Sequence, residues 1–199
     1  AQPDDPGGVV TVADASAGDE VQFHKVSEEL IHQGFVIGVY NVRFEGPGGV
    51  QMDRDVVRHP GAVSVVPVLE DNTVVLVRQF RSALEHNILE IPAGKRDVDG
   101  EAPEVTARRE LSEEVGYEAG SLVKLLELTH SPGFCDEVNH IYLATDLTPT
   151  ERSVDGPEEE AMTIEHVALA DVFDLISSGA ITDAKSVAGL TMAYHRLLR

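Results

Sequence analysis

The sequence predicts an α+β fold, an α/β/α sandwich whose mixed central sheet is flanked by helices and preceded by an N-terminal antiparallel strand extension. Three observations predict it. Residues 62–69 (AVSVVPVL) and 73–80 (TVVLVRQF) are apolar, β-branched runs of strand length, suited to strands buried on both faces. Residues 102–115 switch to a helical pattern. Strands then resume and two helices close the chain, an order unlike a regular βαβ series.

Taken in order, residues 1–20 are rich in Gly, Pro, Asp and Ala and are expected to be disordered. Residues 21–60 form a β extension: 35–46 and 50–59 read as strands, and the Pro-Gly-Gly between them reads as a hairpin turn. Residues 61–199 form the main domain. Glu70, Asp71 and Asn72 make the turn between its two apolar strands, and 87–92 (NILEIP) is a shorter strand leading into a loop, AGKRDVDG. In the helix that follows, Pro103 suits a first turn, Val105, Leu111 and Val115 line an inner face, and Gly116 is the stop. Residues 122–130, 139–147 and 162–169 read as strands, then 168–179 and 183–198 as helices.

Charge narrows the function. Asp and Glu total 35 against 15 Lys and Arg, a formal net charge of -20. Such a surface repels nucleic acid and offers no basic stripe to bind it. A phosphorylated substrate would need the field inverted locally, and a bound divalent cation does that. Cys135 is the only cysteine, which excludes an internal disulfide and suits a reducing compartment. No apolar run approaches the ~18 residues of a membrane span, and the N-terminal residues lack the basic-then-apolar order of a signal peptide. A cytoplasmic protein without membrane partners is expected.

The stretch 100–117, GEAPEVTARRELSEEVGY, carries the chemistry. On a helix Glu110, Glu113 and Glu114 fall at i, i+3 and i+4 and share one face within ~6 Å. Carboxylates at that spacing repel unless a cation sits among them or solvent screens them. Hard oxygen ligands of this kind suit Mg2+, with Mn2+ as a substitute. Arg109, about 100° round the helix from Glu110, is placed to lie back on Glu101 and pin the preceding loop. Charge count alone favours an ordinary solvated face, because Arg109 and Glu113 also make an i,i+4 pair.

Spacing reverses that judgement. Gly94, Glu101, Arg109, Glu110, Leu111, Glu113, Glu114, Gly116 and Tyr117 together resemble the Nudix box, with six residues instead of five between Gly94 and Glu101. The extra residue lengthens the loop and leaves the helical half in register. The resemblance implies a Nudix hydrolase that cleaves a nucleoside diphosphate linked to another group. Carried over by position, Glu110 and Glu114 would be the main metal ligands, Glu113 would assist, and the carbonyl of Ala93 would supply a further oxygen. Gly94, Glu101 and Arg109 would brace the motif.

Pro132, sixteen residues beyond Gly116, together with residues 56–67, 77–81, 89–95 and 183–193, resembles the ADP-ribose pyrophosphatase subgroup. That resemblance implies hydrolysis of ADP-ribose to AMP and ribose 5-phosphate. It implies phosphate contact by Arg81 and ribose-side contact by Glu137, with Arg58 and Arg54 of the hairpin as further candidates for phosphate or base. It also implies a catalytic glutamate in the loop 156–162, where Glu158 is favoured as base, Glu159 is its neighbour, and Glu160 is a candidate metal ligand. Subgroup relatives are commonly homodimers that exchange N-terminal strands, and the 21–60 extension suits that role. Other nucleoside diphosphate sugars, such as GDP-mannose or a UDP-sugar, remain rival substrates. A non-catalytic ADP-ribose sensor is disfavoured because the box keeps all its acids and no basic DNA-reading extension is present.

Overall fold

The computed structural model describes residues 22–153 and 156–199, so the segment expected to be disordered, 1–20, lies outside the described residues. Among the described residues, ten strands form three sheets around which four α-helices are placed. β1 (His24–Gln33), β2 (Gly38–Glu45) and β3 (Gln51–Arg58) make an antiparallel meander. β4 (Ala62–Pro67) lies parallel to β9 (Val138–Pro149) in a four-stranded mixed sheet whose edges are β7 (Ala93–Lys95) and β8 (Tyr117–Thr129). β5 (Thr73–Arg81) is the centre of a third, antiparallel sheet between β6 (His86–Glu90) and β10 (Thr163–Ala168).

The two apolar runs thus become central strands of different sheets. The turn at 70–72 places Asn72 in the left-handed region, φ 62°, and hands the chain from one sheet to the other. A single bridge, Val68 to Val74, joins the two runs.

Period-two alternation then builds the layers. Val63 and Val65 of β4, with Val75 and Val77 of β5, face α1 (Pro103–Val115) and pack with Ala107, Leu111 and Val115. Val66 and Val68, with Val74 and Leu76, face the opposite way. There they pack with Val172 of α3 (Val172–Ser177) and with Leu190 and Ala193 of α4 (Ala184–Leu198). Helices therefore cover both faces, as the sequence predicts.

Four local readings change. Residues 93–95, expected in a loop, pair as a short strand with Ala62–Ser64. Residues 168–179 are only partly α-helical: a 3-10 turn, Leu169–Asp171, precedes the six-residue α3. His24–Gln33 is an additional strand, exposed along its whole length. Val105 is 53 % exposed. It lies about 120° round the helix from Leu111, so the buried stripe runs through Ala107, Leu111, Glu114 and Val115 instead.

Candidate active site

Helix α1 is a rigid mount because both ends are defined locally. Pro103 occupies its first turn. Gly116 ends it in the left-handed conformation (φ 71°), its N–H donating to the Ser112 carbonyl at 3.0 Å. The face towards the sheets carries carboxylates as well as apolar groups: Glu110 is 8 % and Glu114 3 % exposed. The Ala93 N–H donates to Glu114 Oε2 at 2.9 Å, tying β7 to the helix. Glu110 folds across Gly94 so closely that a Cβ there would overlap its carboxyl group. The short strand at 93–95 is thus what brings the glycine and the helix together.

Arg109 does not point away from these acids. Its guanidinium reaches Glu110 at 2.8 Å and Glu113 at 2.9 Å. It also reaches Glu101 at 3.6 Å and Asp97 at 3.8 Å. The guanidinium therefore meets Glu101 of the preceding loop, and the long side chain wraps back to Glu110 and Glu113 as well. Glu101 is held in turn by the Thr106 hydroxyl, which donates to it at 2.7 Å.

Burial sets the electrostatics. Desolvation pushes the Glu110 carboxyl up to about 7, against the pull of Arg109. The same cause pushes Glu114 up to about 8, despite its backbone hydrogen bond from Ala93, and the charges of Glu110 and Glu159 add to it. Two such groups are costly to ionise side by side. Hard carboxylate oxygens gathered at a cavity wall suit a divalent cation, whose charge would remove that cost. Among the described residues, no three His, Cys, Asp or Glu side chains converge as a ready-made metal cluster. Arg109 occupies the centre of the acidic group instead.

These groups line a cavity of about 900 Å³. Ala93, Gly94, Arg109, Glu110, Glu113 and Glu114 form one wall. Arg81 and Glu137 lie on others. The His130 ring, 3.2 Å from Glu137, holds that carboxyl below its usual range. The loop expected to carry a base forms a short helix, α2 (Pro157–Glu160), whose Glu158 and Glu159 line the cavity. Glu160 is exposed and is not part of that lining. Arg152 clasps α2 to α1, donating to the carbonyls of Glu159, at 3.1 Å, and Glu114.

Arg54, Arg58 and Pro132 are not in this cavity. They line a second one of about 490 Å³, with Phe44 and Phe134. Arg58 is engaged there by Glu28 at 2.7 Å and Asp136 at 3.0 Å. Sequence reasoning missed Glu90 and Lys185, both on the main cavity wall. The signal was a charged residue ending an apolar strand (ILE, 88–90) and a lysine just after the capping position of the last helix.

A layered α/β/α fold with a carboxylate helix at the mouth of a cavity defines a Nudix-type protein. The NUDIX domain matches residues 58–189, and the chain belongs to that family. It is 42% identical over 161 residues to an ADP-ribose pyrophosphatase of Bacillus subtilis, covering 81% of this chain and 86% of that one. It is 40% identical to a methanol dehydrogenase activator of Bacillus methanolicus, covering 81% and 87%. A crystal structure of an ADP compounds hydrolase superposes with a TM-score of 0.78 at 26% identity, over 92% of this chain and 97% of the other.

Proposed function

We propose that this protein hydrolyses ADP-ribose to AMP and ribose 5-phosphate with the help of Mg2+ or Mn2+, as a cytoplasmic homodimer. The observation that carries the reading is the pair of buried carboxylates, Glu110 and Glu114, facing a cavity that α2 lines from another side with Glu158 and Glu159. Similarity to an ADP-ribose pyrophosphatase over most of both chains supports the substrate.

Glu110 and Glu114, with Glu113 and the Ala93 carbonyl beside them, would hold the cation. Bound there, it supplies neutralisation of the pyrophosphate and a more acidic attacking water. A carboxylate of α2 would accept the proton of the attacking water. Glu159 is the better placed of the two lining acids, since its charge is felt at both Glu110 and Glu114. Arg81 offers its guanidinium to a phosphate oxygen, and Glu137 accepts from a ribose hydroxyl. The new P–O bond forms as the bridging P–O bond breaks, and the departing phosphate leaves with either the nucleoside or the sugar.

We assign Arg54, and with it Arg58 and Pro132, to the substrate bound by a second copy of the chain. Exposed apolar residues of the N-terminal meander, among them Leu30, Ile31 and Phe35, support such a partner.

The test is product formation from ADP-ribose, GDP-mannose, UDP-glucose, a diadenosine polyphosphate and NADH, each with Mg2+ or Mn2+. AMP and ribose 5-phosphate from ADP-ribose are expected. Turnover of another nucleotide, with ADP-ribose untouched, would reject the substrate while leaving the hydrolase reading intact.

A further inference from the structure

The cavity has a second charged wall, opposite in character to the carboxylate helix. Glu90, the last residue of β6, is 1 % exposed. Its Oε1 accepts from Arg81 Nε at 2.7 Å, and its Oε2 accepts from Lys185 Nζ. Lys185, in the first turn of α4, is 8 % exposed and lies 3.1 Å from both oxygens of Asp183. Asp183 caps the same helix by accepting the Ser186 N–H at 3.0 Å, and the Ser186 hydroxyl accepts the Ile91 N–H at 2.9 Å. The end of β6 and the start of α4 are thus clasped by two contacts side by side.

A lysine in such a place is poor value for stability alone. Burying an ion pair costs several kcal/mol of desolvation per ion, and apolar replacements are often neutral or better. Its geometry points to a different purpose. Arginine prefers to grip a carboxylate with two parallel bonds. It does so at two cross-strand pairs of this chain, though not at the helical pairs Arg108–Glu104 and Arg109–Glu113: Arg43 bonds both oxygens of Asp53, at 2.7 and 3.0 Å, and Arg78 bonds both of Glu165, at 2.5 and 3.3 Å. Neither carboxylate has a lysine on it. Glu90 does, and there Arg81 makes one bond, through Nε. Its two terminal nitrogens form no hydrogen bond within the protein among the described residues, and the side chain lines the cavity.

We propose that Lys185 is a positioning residue for phosphate binding: by occupying Oε2 of Glu90 it restricts Arg81 to a single Nε bond and leaves both terminal guanidinium nitrogens to the substrate. Without the lysine, Glu90 turns both oxygens to Arg81 and draws the guanidinium back to the wall. The proposal rests on the reading of Arg81 as a phosphate contact, and it deepens that reading by naming what keeps the contact available.

The test is a double-mutant cycle with Lys185→Met and Arg81→Lys. It is read as KM on whichever nucleoside diphosphate sugar is hydrolysed, and as the Kd of inorganic pyrophosphate by calorimetry, so a wrong substrate assignment leaves the cycle readable. Lys185→Met alone is expected to raise both constants about tenfold with kcat little changed, and Lys185→Arg to recover most of the loss. In the Arg81→Lys background the same change is expected to cost less than about twofold, because no guanidinium is left to position. Losses that multiply would mean that Lys185 binds substrate directly, and an unchanged KM and Kd in Lys185→Met would mean that it positions nothing. Either overturns the proposal. Should Lys185→Met fold poorly, the neutral pair Glu90→Gln with Lys185→Met decides. An amide has one acceptor oxygen and cannot grip Arg81 twice, so the pair should bind pyrophosphate as Glu90→Gln alone does. A further tenfold loss there also overturns the proposal.

Discussion

The carboxyl group of Glu110 lies directly over the α-carbon of Gly94, where any side chain would collide with it. Glycine is needed at this point for close approach and not for an unusual backbone angle, since residue 94 is an ordinary strand residue paired with Val63. Gly94→Ala is therefore expected to fold and to displace the Glu110 carboxylate. A shift of about 1 Å in a catalytic group can cost roughly 10²-fold in rate. Steady-state hydrolysis of ADP-ribose, with the melting temperature as the folding control, measures this. A fully active Gly94→Ala would mean that Glu110 has no fixed position to lose.

Much of this site was legible in the sequence, for a specific reason. Helical spacing ties Glu110, Glu113 and Glu114 to one face whatever surrounds them, and Gly94 and Gly116 mark its borders. The fold class was legible because β4 and β5 are apolar throughout, as strands covered by helices on both sides must be. What stayed hidden depends on tertiary contact. Arg109 is long enough to reach round its own helix, so the angular offset that predicts it to face elsewhere does not settle where its charge goes. The Glu90–Lys185 contact joins residues 95 apart, and no local pattern announces it. Arg54 and Arg58, on β3, and Pro132, in the loop between β8 and β9, line another cavity, because the meander and that loop meet away from the carboxylates of the main one.

The raised carboxyls give a stability profile with a definite sign. Glu110 at about 7 and Glu114 at about 8 both stand above their ordinary value of 4.5. The folded chain therefore holds more protons than the unfolded chain between those limits, and stability falls as pH rises through that window. Metal-free protein is expected to lose melting temperature between about pH 5 and about pH 8. Excess Mg2+ should restore most of the loss at the alkaline end, because the cation favours the ionised carboxylates. Glu114→Gln should flatten the slope and abolish the Mg2+ response. Thermal melts with chelator or with Mg2+ across that range read all three outcomes. A wild-type profile insensitive to Mg2+ would remove the metal assignment from this helix.

The three acids of α2 should separate in activity. Glu159 influences both buried carboxylates, Glu158 shares the cavity lining, and Glu160 is exposed and outside it. General-base catalysis contributes about 10²–10⁴-fold. Glu159→Gln is expected to lose kcat on that scale with little change in KM, whereas Glu160→Gln should retain nearly full rate. Glu158→Gln provides the comparison, since a loss there exceeding that of Glu159→Gln would transfer the role of base to its neighbour. Measuring kcat separately from KM keeps a proton-transfer defect distinct from weaker binding.

The N-terminal meander carries a strand, β1, exposed along its whole length, and is expected to be covered by a second copy. Every residue of β1 is exposed, and Leu30 at 49 %, Ile31 at 59 % and Phe35 at 111 % present apolar surface to solvent. A stable dimer needs roughly 1,000 Å² or more of buried interface, and apolar residues exposed together are the usual material for one. The full chain should therefore scatter light as a dimer, and Ile31→Asp combined with Phe35→Asp should convert it to a monomer that keeps its fold. If Arg54 reaches the substrate of the other copy as proposed, the monomer should also bind ADP-ribose more weakly. A wild-type monomer would sink the dimer and the Arg54 assignment together. A dimer that survives both substitutions would place the interface elsewhere on the chain.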